Sequence, residues 1–290
     1  MSDNSFLPDD LAPGDQRLLP LDFSTLTFHR IRSTAHPKFN EGYEQLWKEF
    51  GAAHEMESRS VIESRLAWPE STAMNGRWLR YEMSVVTQGS RWVASRDHVA
   101  VVSTDYKSAR AIVHMSHIVV HPEWRRRGVA AWLRAVPIQT ARACLKLAGF
   151  SPDSPITLVA EMEHPDETHQ ARTIRLKAYE KAGFLKIDPQ HIDYHQPDFR
   201  SAPEIDASGG TRPLPFALLV RRLGREQETT MLSEEVHHLI RSIYHMYELG
   251  FRAQDMVGLW EALNNTTPSR LPIQLVAPTS RSGFETGEGL

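Results

Sequence analysis

An apolar strand end, a basic glycine turn and an amphipathic helix follow one another without interruption over residues 119–136, VVHPEWRRRGVAAWLRAV, and no other segment constrains the fold as tightly. Val119 and Val120 close the apolar run, Pro122 ends it because it cannot donate to a strand ladder, and Gly128 lets the backbone come close to a ligand. Val129, Trp132, Leu133 and Val136 then recur at i, i+3, i+4 and i+7, which is one stripe of a helix facing a core. A helix starting near Gly128 leaves its first amide hydrogens without intrahelical acceptors and points its positive dipole end at the turn. Such a turn suits a phosphate or pyrophosphate held by backbone donors, with Arg125, Arg126 and Arg127 adding charge. Taken alone, an Arg-Arg-Arg-Gly run reads more readily as a solvated basic turn before a surface helix.

A second segment gives the first its meaning. Arg125, Gly128 and Ala130 match the pattern Arg or Gln, two residues, Gly, one residue, Gly or Ala, placed directly after a strand ending in Val-x-Pro. Downstream stands Tyr179-Glu180-Lys181-Ala182-Gly183-Phe184, the end of a helix. With these two motifs in this order, the chain resembles the GNAT superfamily of acyl-CoA-dependent N-acetyltransferases.

The resemblance implies an α/β fold with a mixed, mostly antiparallel sheet of about seven strands flanked by helices. It further implies that the amides of Arg126, Arg127, Gly128, Val129 and Ala130 bind the pyrophosphate of acetyl-CoA, the co-substrate. Ile118, Val119 and Val120 would pair with the pantetheine arm as an added strand does, and Tyr179 would protonate the CoA sulfur. The sequence departs from the family where Asn is frequent seven residues before this Tyr and Ala four before: Arg172 and Arg175 stand there. A guanidinium at these places could meet a phosphate or an acidic acceptor.

Transfer to an amine also needs a base, and three residues are candidates. His117 lies late in the strand leading to the turn, and Glu161 and Glu163 lie on the next strand, where side chains two apart share a face. A water relay can replace a direct base. Cys144 is the sole cysteine and falls within the helix, which argues for direct attack in a ternary complex over an acyl-cysteine step. Fourteen histidines invite a metal, but His114 and His117 face opposite sides of a strand and His117 and His121 would stand about 13 Å apart, so no metal is expected.

Along the chain, residues 1–22 are rich in Asp, Pro and Ser and read as a flexible arm, 23–222 as the acetyltransferase domain, and 223–290 as a C-terminal helical extension and tail. Within the domain, a strand is expected at 26–31, helices from Pro37 and over 60–68, and three antiparallel strands between Trp78 and Val120. The helix from Gly128 should kink or split at Pro137. A strand over 156–163, a helix from Pro165 to Gly183, and strands at 184–187 and 215–220 follow, with 201–213 read as a loop. In the extension Ser233 is placed to cap a helix carrying Val236, Leu239, Ile240 and Ile243, and a shorter helix holds Met256, Leu259, Trp260 and Leu263. These stripes serve either packing on the same chain or a homodimer contact.

A formal charge of -3 and the absence of an apolar run near about 18 residues point away from nucleic acid and membranes. A single cysteine suits a reducing cytoplasm. The expected partner is a small-molecule or peptide amine, and the resemblance implies that specificity resides around 36–68 and 194–213. The competing expectation is a non-catalytic acyl-CoA-binding or protein-interaction module on the same fold.

Overall fold

The computed structural model describes residues 10–16, 23–103, 109–165, 169–266 and 268–280. The chain forms two compact units, Met1–Ile156 and Thr157–Leu290. Among the described residues no helix is long and apolar enough to cross a membrane.

The first unit contains α1 (Pro13–Gln16), β1 (Thr27–Ile31), α2 (Phe39–Phe50), α3 (Arg59–Leu66), β2 (Arg77–Gln88), β3 (Arg91–Ser103), β4 (Ala111–His114), β5 (Ile118–Val120) and α4 (Val129–Leu147). β1, β2 and β3 are antiparallel neighbours in that order, and β4 and β5 lie one after the other along the far side of β3. The stripe expected on α4 is the one that packs: Val129, Trp132, Leu133 and Val136 meet Leu26, Val86, Val93 and Ala94 in one buried cluster. α4 is not split at Pro137 but runs as one helix of 19 residues, although the proline withholds the usual donor from the Leu133 carbonyl.

Two features of this unit differ from expectation. The apolar run 111–120 is not one strand. Arg96 faces Ile118 and Val99 faces His114, so two residues of β3 oppose three, Met115, Ser116 and His117, and the ladder bulges there. Residues 10–16 of the expected arm are folded: Asp15 takes Arg134 of α4 at 3.0 and 2.6 Å, and Asp10 takes Arg142 at 2.8 Å. Residues 1–9 and 17–22 lie outside the described residues.

The second unit contains β6 (Ile156–Met162), α5 (Gln170–Lys181), β7 (Leu185–Ile187), β8 (His195–Gln196), α6 (Ala202–Ala207), β9 (Leu214–Pro215), β10 (Ala217–Arg222), β11 (Thr230–Met231), α7 (Ser233–Tyr247), α8 (Ala253–Asn265) and β12 (Ile273–Val276). Its strands run in the order β6-β10-β7-β12-β11, every neighbour antiparallel, and β8 pairs with β9 separately. The fold is thus mixed α/β with antiparallel strand pairing within each unit, and it has more strands than expected. The stretch read as a loop holds α6, which opens on a capping box between Ser201 and Glu204, the Glu204 carboxylate accepting from the Ser201 amide at 2.8 Å. Ser233 does not cap α7. Leu232 occupies that position, and the Ser233 hydroxyl accepts from the Ser269 amide at 3.1 Å. β12 was not expected; it lies in the C-terminal extension and pairs with β7. Residues 281–290 of the expected tail lie outside the described residues.

Candidate functional site

The segment from β5 into α4 builds a surface made of main chain. The Asp97 amide donates to the His117 carbonyl at 3.2 Å and the His121 amide to the Val93 carbonyl at 2.9 Å, with Val119 opposite Ser95 between them. In an antiparallel ladder this parity turns the polar groups of residues 117, 119 and 121 toward β3, and those of Ile118 and Val120 away from it. On that far side no further strand pairs with β5 among the described residues. Of the three residues expected to pair with a ligand, Ile118 and Val120 therefore carry the available groups, and Val119 is engaged with β3. The Val120 carbonyl is already taken, at 3.1 Å, by Nε of Arg125.

Past β5 the chain makes a 3-10 turn over Pro122–Trp124, then turns sharply into α4. Arg126 has φ +64° and Gly128 φ +85°, both left-handed. Such values are routine for glycine and cost an arginine about 1–2 kcal/mol. The first intrahelical bond is Trp132 N–H to the Gly128 carbonyl at 3.0 Å, which leaves the amides of Val129, Ala130 and Ala131 to point out of the helix start. Arg125, Arg126 and Arg127 are exposed around it while Gly128 and Val129 are buried. The Arg127 guanidinium lies over the Trp124 ring, 5.4 Å from its centroid. Backbone donors and exposed cations meet here, a combination suited to a phosphate.

His117 is not placed as a base. It is buried, and both ring nitrogens face oxygens that only accept: Nδ1 lies 2.9 Å from Asp97 Oδ1 and Nε2 lies 2.8 Å from the Glu55 carbonyl. Both nitrogens must then carry protons. Burial alone would lower its pKa, but the Asp97 carboxylate outweighs that and raises it to about 9. Asp97, for which burial acts the other way, is brought down to about 2 by the same partner.

In the second unit Tyr179 is buried in the last turn of α5. Glu163, just past β6, is tied by two guanidiniums of α5: Arg172 Nε at 2.6 Å and Arg175. The two arginines that depart from the family pattern thus meet an acidic acceptor of the same unit. Glu161 has other partners, accepting from the hydroxyl of Tyr194, from Gln196 Nε2 at 2.8 Å and from the hydroxyl of Tyr247 at 2.8 Å. The two glutamates therefore do not act as a pair. Asp97, Glu55, Tyr194 and Tyr247 escaped the sequence reading. The charged triplet Arg96-Asp97-His98 inside an otherwise apolar strand was the available signal for the first.

No protein-family model matches the chain, and no curated protein does. Among solved structures it is similar to Escherichia coli ElaA, at 13% identity over 68% of this chain and 99% of that one, with a TM-score of 0.37. It is similar to an acetyltransferase of the GNAT family from Streptococcus pneumoniae, at 11% identity over 69% and 99%, TM-score 0.33. A third is yncA from Salmonella typhimurium, solved with its cofactor acetyl-CoA, at 18% identity over 69% and 94%, TM-score 0.32. At superpositions of this quality, what bears on function is the geometry of the chain's own residues.

Proposed function

We propose that the chain is a GNAT-type N-acetyltransferase that moves acetyl, or another small acyl group, from CoA to a primary amine by direct attack in a ternary complex. The observation that carries this reading is the junction of β5 and α4. There a strand edge with outward main-chain groups at Ile118 and Val120 leads, through the left-handed Arg126 and Gly128, to the unpaired amides of a 19-residue helix. A pantetheine arm is a chain of amides that a strand edge can hold, and a pyrophosphate suits the helix start. The order of these two surfaces along the chain is the order of the two groups in CoA.

Acetyl-CoA supplies an activated thioester carbonyl, and the chain's residues hold and orient it. Arg125 folds back on Val120, so the phosphates fall to the amides of residues 126–130 with Arg126 and Arg127 beside them. Tyr179 is assigned from its motif as the donor that returns a proton to the departing sulfur. His117 and Glu163 are engaged by Asp97, Glu55, Arg172 and Arg175, so the proton of the acceptor amine is assigned to water rather than to either of them.

Thiol release from acetyl-CoA across a panel of primary amines, alongside calorimetric CoA binding, tests the reading. Turnover with at least one amine is expected. CoA binding with no turnover on any amine would leave a non-catalytic acyl-CoA-binding module, and absence of CoA binding would overturn both.

A further inference from the structure

His117 lies at the meeting of two segments that the sequence keeps far apart. Its main chain forms the end of the bulge between β4 and β5, immediately before Ile118, whose main-chain groups face away from β3. Its ring reaches the connection between α2 and α3, residues 51–58, through the Glu55 carbonyl 62 positions away. We infer that His117 is a positioning residue, an imidazolium that ties the 51–58 connection to the bulge and so holds the acceptor side of the site in register with the acyl-carrier edge. The word acceptor rests on the acetyltransferase reading above; the tie itself does not.

The hydrogen-bond inventory carries the argument. A neutral imidazole has one N–H and one lone pair, and here a lone pair would face either a carboxylate or a carbonyl oxygen in a buried place. Only the cation satisfies both sides. Asp97 is organised for this: Oδ1 also accepts the His117 backbone amide at 2.9 Å, and Oδ2 accepts the Tyr81 hydroxyl of β2 at 3.1 Å. Glu57 of the connection acts on the ring and Arg65 of α3 on Asp97, and the two are ion-paired with each other and each about 1% exposed. Two cations and two anions thus balance in one buried cluster, and the Phe50 ring of α2 covers the imidazole at 5.0 Å between centroids.

The connection needs such a tie. After the 3-10 turn Gly51–Ala53 it has no regular structure, and His54 sits at φ +53°. Its other anchors include the Glu55 amide on the Phe50 carbonyl at 3.1 Å, the buried Met56, and Glu57. The contact through His117 reaches the strand carrying Ile118.

The sign of the pH dependence follows. The pKa of His117 in the fold, about 9, lies above its ordinary 6.5, so the tie is complete below 6.5 and is lost as pH rises through about 9.

Amide hydrogen exchange on the full chain, corrected for the intrinsic rate at each pH, tests this. In the wild type, protection over 51–58 should fall by about tenfold between pH 8 and 10 while protection in α4 stays level. His117→Gln should show the loosened state already at pH 7, with no further change to pH 10. With an amine that turns over, His117→Gln should raise the acceptor KM about tenfold, leaving kcat and CoA affinity within about threefold. Flat wild-type protection from pH 8 to 10 would overturn the inference, as would a kcat loss at unchanged KM, which would mark a base. The exchange result needs neither CoA nor turnover, so failure of the acetyltransferase reading leaves it standing. The wild-type series decides even if a His117 variant does not fold.

Discussion

The rings of Tyr179 and Phe184 meet edge-on, centroids 4.9 Å apart, and the Phe184 amide donates to the Tyr179 carbonyl at 3.1 Å. With the Gly183 amide on the Glu180 carbonyl at 3.0 Å and Gly183 at φ +76°, this is a complete Schellman cap, its apolar contact included. The motif that suggested an acid is therefore also a sufficient way to end a helix. The two roles occupy different atoms, the ring and backbone for the cap and the hydroxyl for the chemistry.

Tyr179→Phe separates them. It keeps the ring against Phe184, so stability should change by no more than about 1 kcal/mol, the worth of one hydrogen bond. Turnover should drop by about 10²-fold or more if the phenol is the acid, with CoA affinity retained. Full activity in the variant would remove Tyr179 from the chemistry and leave it as a cap residue. Gly183→Ala should do the reverse, costing about 1–2 kcal/mol through its left-handed backbone.

At the turn, Arg126 and Gly128 give opposite expectations although both are left-handed. Arg126→Gly removes a charge but relieves a costly backbone position, so CoA affinity should change by less than about fivefold if the amides carry recognition. Gly128→Glu imposes about 1–2 kcal/mol of backbone strain and places a carboxylate beside the phosphates, so affinity should fall by more than about tenfold. Calorimetry on both variants decides. A larger loss in Arg126→Gly than in Gly128→Glu would mean that side-chain charge dominates.

His98 contributes to the pH response on the acid side. It lies opposite Glu82 across β2 and β3, both fully buried, with Nε2 2.8 Å from Thr140 Oγ1. Burial, only partly opposed by Glu82, pushes its pKa down from 6.5 to about 3. The stability this neutral ring contributes is fully present above 6.5 and is lost as pH falls through about 3. In urea unfolding at pH 7, 6 and 5 the wild type should lose stability more steeply than His98→Gln, by up to about 1.4 kcal/mol per pH unit. Parallel lines for the two proteins would contradict it.

How much of this was legible in the sequence depended on whether the signal was local. The change from an apolar run to a 3.6-residue period at Gly128, and the Tyr179–Phe184 cap, are written in neighbouring residues, and both elements form where the spacing puts them. The bulge at 115–117 was hidden because HMSHI is apolar and polar in the same measure as a strand, and the extra residue exists only relative to β3. His117 looked like a base because its two acceptors, Asp97 and the Glu55 carbonyl, lie 20 and 62 positions away. α6 could have been found from Ser201 and Glu204, whose spacing is that of a capping box, but the glycines and prolines around them read as a loop.

The same distance problem concealed the fold of residues 10–16, and it yields the last expectation. Pro and Asp in this stretch suggested an unattached arm, yet Asp15 and Arg134 are both almost fully buried and joined by two hydrogen bonds, at 3.0 and 2.6 Å. Taking away Arg134 strips the buried Asp15 carboxylate of these two bonds, and taking away Asp15 removes the same two from the guanidinium, whereas replacing both removes the pair together. Asp15→Ala and Arg134→Ala should each cost about 3 kcal/mol or more. The double variant Asp15→Leu with Arg134→Met should cost clearly less than the sum of the two and less than Asp15→Ala alone, because apolar side chains of similar size can fill the contact against α4. Equilibrium unfolding of the four proteins measures the coupling. If the single variants cost less than about 0.5 kcal/mol, the pair contributes no more than a surface ion pair does, and residues 10–16 are held by the burial of Leu11 and Ala12 instead.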